Sequence, residues 1–261
     1  MASQTHQSRS TRKIAIANQK GGVGKTTTAV NLATGLARMG HSTLLIDLDP
    51  QANATYALLG THEPTATVYD LLIGRQPLEQ ILVPSRQPGL DLLPSDIDLA
   101  GAEVDLLSAI GGQTRLRAAL ERTRLPHAYI VVDTPPSLGL LTINALAAVE
   151  ELIIPISASL FAMKGLAQLR ETITKVQDSL NRPELRIRGI LATMYDHTNV
   201  AKEVLRTLCE HFPGIVYETV IPKNVKLEEV YSRGMSIYEY APQSKGARAY
   251  TRFVQEVIDR D

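Results

Sequence analysis

Tryptophan is absent from this sequence and cysteine occurs once. Net charge is also missing, because 27 lysine and arginine residues balance 27 aspartates and glutamates. Each scarcity removes a class of protein. The single cysteine, Cys209, cannot form an internal disulfide, so nothing points to a disulfide scaffold or an oxidising compartment. Even two copies of the chain would bring too few thiolates for an iron–sulfur cluster. Charge neutrality gives no global sign of nucleic acid, membrane or acidic partners, so any such surface has to be a local patch. No apolar run approaches the roughly 18 residues of a membrane-crossing helix. The longest, such as Ile130–Val132 and Leu152–Ile156, have the length of buried strands. Cys209 falls in a helical pattern with Val204, Leu205, Leu208 and Phe212 and is expected to be a small core residue.

What is present suits one large α/β domain: 261 residues, 44% of them hydrophobic. Residues 1–12 are polar, with no apolar stretch behind the basic positions; they read as a disordered tail, not a secretory signal. Residues 13–261 then form a single domain of a soluble, cytoplasmic protein. Short Val/Ile/Leu-rich runs alternate with helical patterns along it. Strands are expected at 13–17, 43–47, 90–93, 129–133, 151–155 and 188–194. Helices are expected from the Gly-rich turn to Met39 and over 97–110, 114–123, 140–149, 166–180, 200–212 and 246–258. The stretch from Thr61 to Pro94 is less regular and reads as an excursion from the same domain. Continuous apolar strands interleaved with helices predict an α/β fold, a mostly parallel twisted sheet with helices on both faces.

The strongest chemical signal lies between the first strand and its helix, in Gln19-Lys-Gly-Gly-Val-Gly-Lys-Thr-Thr27. A loop there aims backbone N–H groups at an anion, and the helix N-terminus adds its positive dipole end. Gly21, Gly22 and Gly24 lack a Cβ, which permits positive φ and close approach to phosphate oxygens. Lys25 is placed to reach the β- and γ-phosphates of ATP, and the Thr26 hydroxyl to coordinate Mg²⁺. The usual G-x-x-x-x-G-K-[ST] pattern fails at its first glycine, where Gln19 stands, and a further lysine, Lys20, precedes the glycines. The fold class is therefore a P-loop NTPase of a deviant Walker A type.

Three carboxylates follow strands. Asp47 and Asp49 end Leu44-Leu-Ile-Asp-Leu-Asp-Pro-Gln51, and Asp133 ends Ile130-Val-Val-Asp-Thr-Pro-Pro-Ser137. Ligands of open α/β sheets sit outside the carboxyl ends of the strands, so all three should converge near the phosphate loop. Asp133 has the form of a Walker B aspartate that holds Mg²⁺ through water, while the Asp47–Asp49 segment offers one carboxylate to the metal and another to an attacking water. The chemistry implied is phosphoryl transfer to water.

Lys20–Thr27, Asp47–Asn53 and Asp133–Ser137 together resemble the ParA/Soj family of chromosome and plasmid partition ATPases. The likeness continues through Leu138–Ala145, Met163–Leu166, Thr193–Asp196, Ile221–Val225 and Ser244–Ala247. The resemblance implies ATP and Mg²⁺ bound at Lys20, Gly21, Gly22, Val23, Gly24, Lys25, Thr26 and Thr27, with Pro222 and Asn224 at the adenine. It implies catalysis by Lys20, Lys25 and Asp49, and metal contacts from Thr26, Asp49 and Asp133. Lys20 looks like the signature lysine that crosses a nucleotide-sandwich homodimer to the partner's phosphates. Family members bind double-stranded DNA without sequence preference in the ATP dimer, and a ParB-like centromere-binding activator stimulates slow hydrolysis. A nucleoid-associated cytoplasmic protein is implied. ParA-like proteins that position another cargo share this biochemistry. A MinD-like membrane ATPase should instead end in a basic amphipathic helix, whereas this chain ends Val257-Ile-Asp-Arg-Asp261.

For the DNA surface the resemblance points to residues after the Met-x-Asp strand and around the Pro-x-Asn loop: His197, Lys223, Lys226, Arg233 and Arg248. His197 stands where many relatives carry arginine. From Arg182 to Arg252 there are 11 Lys/Arg against 8 Asp/Glu, a small surplus. DNA binding weaker than that of Arg-bearing relatives is expected.

Overall fold

The computed structural model describes residues 11–158 and 162–260. The chain opens with β1 (Arg12–Ile16), α1 (Lys25–Arg38), β2 (Thr43–Asp47) and α2 (Asn53–Leu59). The excursion contains α3 (Val68–Leu72), α4 (Leu78–Ile81), β3 (Val83–Pro84) and β4 (Leu90–Leu93). A 3-10 turn at Ile97–Gly101 leads into α5 (Ala102–Ser108), and another at Gly112–Thr114 into α6 (Arg115–Arg122). Then come β5 (Tyr129–Asp133), α7 (Leu140–Ala148), β6 (Glu151–Ser157) and α8 (Ala162–Ser179). The last part holds β7 (Arg186–Thr193), α9 (Asn199–His211), α10 (Val225–Arg233), α11 (Ile237–Tyr240) and α12 (Lys245–Asp259).

The seven strands form one sheet in the order β3-β4-β2-β5-β1-β6-β7, parallel except for the short β3 edge, which runs against β4. Side chains alternate across it, as the period of two requires. Ala15, Leu44, Ile46, Ile130, Val132, Leu152 and Ile154 pack beneath α5 to α8. Ile14, Ile16, Leu45, Val131 and Ile153 face α1 and α12. Both faces are covered, so the strands carry apolar residues at consecutive positions. Helix α1 ends at Met39–Gly40, where Gly40 has φ 88° and its N–H bonds the Ala37 carbonyl.

The expected helix over 97–110 divides into a 3-10 turn and α5. Five shorter helices, α2, α3, α4, α10 and α11, lie where the sequence reading placed no element. Of the expected tail, residues 1–10 lie outside the described residues. Arg12 already belongs to β1, where it pairs with Glu151 at 2.7 Å. Cys209 is exposed and not part of the core. It follows Leu208 on α9, and one residue of helix turns it about 100° off the face that Val204 and Leu208 bury.

Candidate active site

Parallel pairing brings the chemistry to one sheet edge. Asp47 is the register partner of Asp133, and Asp133 is also that of Ile16, so the ends of β2, β5 and β1 lie side by side. The phosphate loop leaves β1 at this point. Asn18 bridges the loop to β6, accepting from the Lys20 N–H at 3.0 Å and donating to the Pro155 carbonyl at 2.8 Å. On the other side the Thr193 hydroxyl donates to the Val23 carbonyl at 2.9 Å. Gly22 and Gly24 have φ of 69° and 82°, a region side chains disfavour. Gly21 does not have positive φ, and a Cβ there would meet Pro136 at an ordinary 3.8 Å, so the conformational part of the expectation holds at Gly22 and Gly24.

The two lysines of the loop differ in setting. Lys25 is 7% exposed; its Nζ points back to the Lys20 carbonyl at 3.4 Å. Burial lowers its pKa, and the nearby charges of Asp133 and Asp49 oppose that shift. The Lys20 side chain is exposed.

The carboxylates also divide. Asp47 is fully buried and held internally: Oδ1 accepts from the Asp49 N–H, while Oδ2 accepts from the N–H and the hydroxyl of Thr55, both at 2.8 Å. Burial pushes it up to about 6 despite those bonds. Asp133 is equally buried, but neither carboxylate oxygen has a hydrogen-bond partner of normal geometry. Burial first, and then the Asp47 carboxylate beside it, raise its pKa well above the usual range; the neighbouring Thr26 hydroxyl only softens the effect. A buried carboxylate without a partner is costly unless a cation completes it. Asp133 and Thr26 thus fit a magnesium ion. Among the described residues no three His, Cys, Asp or Glu side chains cluster to hold a metal. Mg²⁺ fits that condition, since it takes most of its oxygens from phosphates and water.

Asp49 is anchored through its backbone and one carboxylate oxygen: its carbonyl accepts from the Ser95 hydroxyl at 2.8 Å and its Oδ1 from the Gln51 N–H at 3.0 Å. It lines a cavity of about 340 Å³ with Gly21, Gly22, Gly24, Lys25 and Thr26. A second cavity, of about 240 Å³, shares Gly24, Thr27 and Met194 with the first and extends to Pro222 and Asn224. Its walls are apolar, from Ile221, Leu227 and Tyr250. A polar cradle joined to an apolar slot matches the phosphates and base of a nucleotide. Met194 and Tyr250 were not singled out from sequence, since neither stands in a phosphate or metal motif.

Two residues of the expected DNA surface meet at Tyr195. Lys223 donates its N–H to the Tyr195 carbonyl, and the His197 ring lies edge-on to Tyr195 at 4.8 Å, so these two share one ridge. Lys226 is engaged by Glu229 at 2.7 Å, and the Arg248 guanidinium donates to the Gln243 carbonyl. Arg233 ends α10, next to Gly234, which packs on Tyr56.

Among solved structures, cobyrinic acid a,c-diamide synthase of Mycobacterium smegmatis with a bound ATP analog and magnesium has a TM-score of 0.82 and 35% identity. The match covers 95% of this chain and 94% of that one. The cell division ATPase MinD of Pyrococcus furiosus shares the fold at a TM-score of 0.76 and 24% identity, over 96% and 99%. Fold and site together define a P-loop ATPase of the deviant Walker A kind, which uses ATP and Mg²⁺. Residues 11–187 match the AAA domain family. The chain is 44% identical over 254 residues to the chromosome partitioning protein ParA of Caulobacter vibrioides, covering 96% of this chain and 95% of that protein. It is 49% identical over 250 residues to the chromosome-partitioning ATPase Soj of Thermus thermophilus, covering 95% and 96%. The chain belongs to the ParA/Soj family of chromosome-partitioning ATPases. Among the described residues no helix is long and apolar enough to cross a membrane.

Proposed function

We propose that the protein is a partition ATPase whose bound nucleotide sets its assembly state and, through it, its hold on DNA. One observation carries this reading: of two lysines in one phosphate loop, Lys25 is buried and Lys20 faces outward. Lys25 is committed to the phosphates of its own subunit. Lys20, on the outer lip, suits the phosphates of a second copy, so that two subunits close on each other only when a γ-phosphate is present. Gly21–Thr27 hold the triphosphate, Pro222 and Asn224 the adenine. Thr26 and Asp133, with Asp49, hold Mg²⁺, which offsets the charge developing on the phosphates. Asp49 lies on the same cavity wall and orients the attacking water. Turnover by the chain alone is slow, and a ParB-like activator shortens the life of the ATP state.

The His197–Lys223 ridge supplies DNA phosphate contacts without base readout, doubled in the homodimer. Lys226, Arg233 and Arg248 surround it at the margin. This reading places the protein in the cytoplasm on the nucleoid. Fluorescence anisotropy with duplexes of two unrelated sequences tests it. Binding should require MgATP, be equal for both duplexes, and persist longest in Asp49→Ala, which loads ATP without hydrolysing it. Equal DNA binding with ADP would refute the coupling.

A further inference from the structure

Three arginine side chains among the described residues bury an Nε that has no hydrogen-bond partner: Arg115, Arg182 and Arg188. Two are compensated by carboxylates. Arg182 reaches Glu184 at 2.7 Å and Glu150 at 3.5 Å, and Arg188 reaches Glu151 at 3.8 Å. Arg115 alone has neither an ion pair nor a hydrogen bond among the described residues. Only the Nε is buried, and Arg115 as a whole is half-buried, so its other guanidinium N–H groups stay open to water or to a ligand in the cleft beside it.

Arg115 opens α6 and faces the turn between α3 and α4 across a cavity of about 570 Å³. Arg75 and Arg122 line the same cavity, and the Thr114 and Thr123 hydroxyls complete its polar side. Arg75 is fixed on its wall by the Tyr69 ring at 5.3 Å and by Asp70 at 3.7 Å. Against these guanidiniums the cavity sets one carboxylate, Glu79. A smaller neighbouring cavity of about 290 Å³ shares Arg75 and Arg115 and adds Asp105, whose Oδ2 already accepts from the Tyr69 hydroxyl at 2.9 Å. Counting Asp70, three carboxylates stand near the three guanidiniums, but among the described residues neither Arg115 nor Arg122 forms an ion pair with any of them. The rest of the large cavity is apolar, chiefly Leu71, Leu78 and Ala118. It has no lining residue in common with the two nucleotide cavities.

Guanidinium and hydroxyl donors along one cavity are the groups that phosphate oxygens accept from. The volume falls within the range of small-molecule sites. We infer that the cleft between α6 and the α3–α4 turn is a second ligand site, taking a phosphate-bearing small molecule with an apolar portion.

The test uses the full chain saturated with MgADP, so that the phosphate loop is occupied, and titrates inorganic phosphate and phenyl phosphate at constant ionic strength by calorimetry. One saturable site per chain is expected. Phenyl phosphate should bind at least about fivefold tighter than phosphate, because its ring covers the leucine wall. Arg115→Gln should weaken both by about tenfold or more, and Arg122→Gln by roughly threefold, through loss of charge-assisted bonds. MgADP affinity should be unchanged in both variants. Arg122 is exposed, so its variant keeps the experiment readable if Arg115→Gln does not fold. No saturable binding, equal affinity for the two probes, or binding that survives both substitutions would overturn the assignment. Because MgADP fills the other site throughout, such a failure leaves the partition reading untouched.

Discussion

Replacing Thr193 by valine removes one hydrogen bond and almost no volume, and the structure says where the loss will be felt. The Thr193 hydroxyl is the side-chain tie between the end of β7 and the phosphate loop, 2.9 Å from the Val23 carbonyl. Both residues are at most 2% exposed, so water cannot take its place. Leaving a buried carbonyl unpaired costs about 1–3 kcal/mol. That cost divides between the fold and the loop. If the loop relaxes locally, it falls on nucleotide binding, where about 1.4 kcal/mol is tenfold, giving MgADP affinity weaker by about fivefold to a hundredfold. If the loop stays in place, the same cost appears as global destabilisation. Calorimetric titration with MgADP and guanidinium denaturation without nucleotide measure the two parts, and they should together reach at least ~1 kcal/mol. If the variant were unchanged in both, Thr193 would not be holding the loop.

Three other outcomes follow from particular contacts. Gly189→Ala would place a Cβ 2.0 Å from the buried Tyr217 ring, so the denaturation midpoint should fall by the equivalent of ~1–3 kcal/mol or more. Arg12→Ala strips Glu151, itself only 9% exposed, of its closest cation and should cost ~3 kcal/mol in the same assay, leaving Arg188 at 3.8 Å as a weaker partner. His197→Arg should tighten MgATP-dependent DNA binding and steepen the log–log salt slope by about 0.9, the value for one added phosphate contact; an unchanged slope would remove His197 from the DNA surface.

The strands were readable because burial on both faces writes itself as consecutive Val, Ile and Leu. The expected bounds 43–47, 90–93 and 129–133 coincide with β2, β4 and β5. The phosphate loop was readable because its chemistry demands a local string of glycines, a lysine and a threonine. Helices of four to seven residues left too few turns for a period to register, which is why α2, α3, α4 and α11 escaped; α10, at nine residues as long as the expected α7, was missed without that excuse. Long-range features escaped for a different reason. Nothing in the sequence around Tyr250 or Met194 says that α12 and the end of β7 meet at one slot, nor that Ser95 holds the Asp49 carbonyl. Burial likewise separated Asp47 from Asp133: they end similar apolar runs, yet one is held by three protein donors while the other has only the Thr26 hydroxyl and the Lys25 charge near it.

Sedimentation velocity of the wild type and Lys20→Ala, each with MgATP and with MgADP, addresses the outward lysine most directly. The wild type should double its mass only with MgATP, and Lys20→Ala should remain single in both while still binding nucleotide. A Lys20→Ala protein that pairs as readily as the wild type, or a wild type that stays single with MgATP, would contradict it.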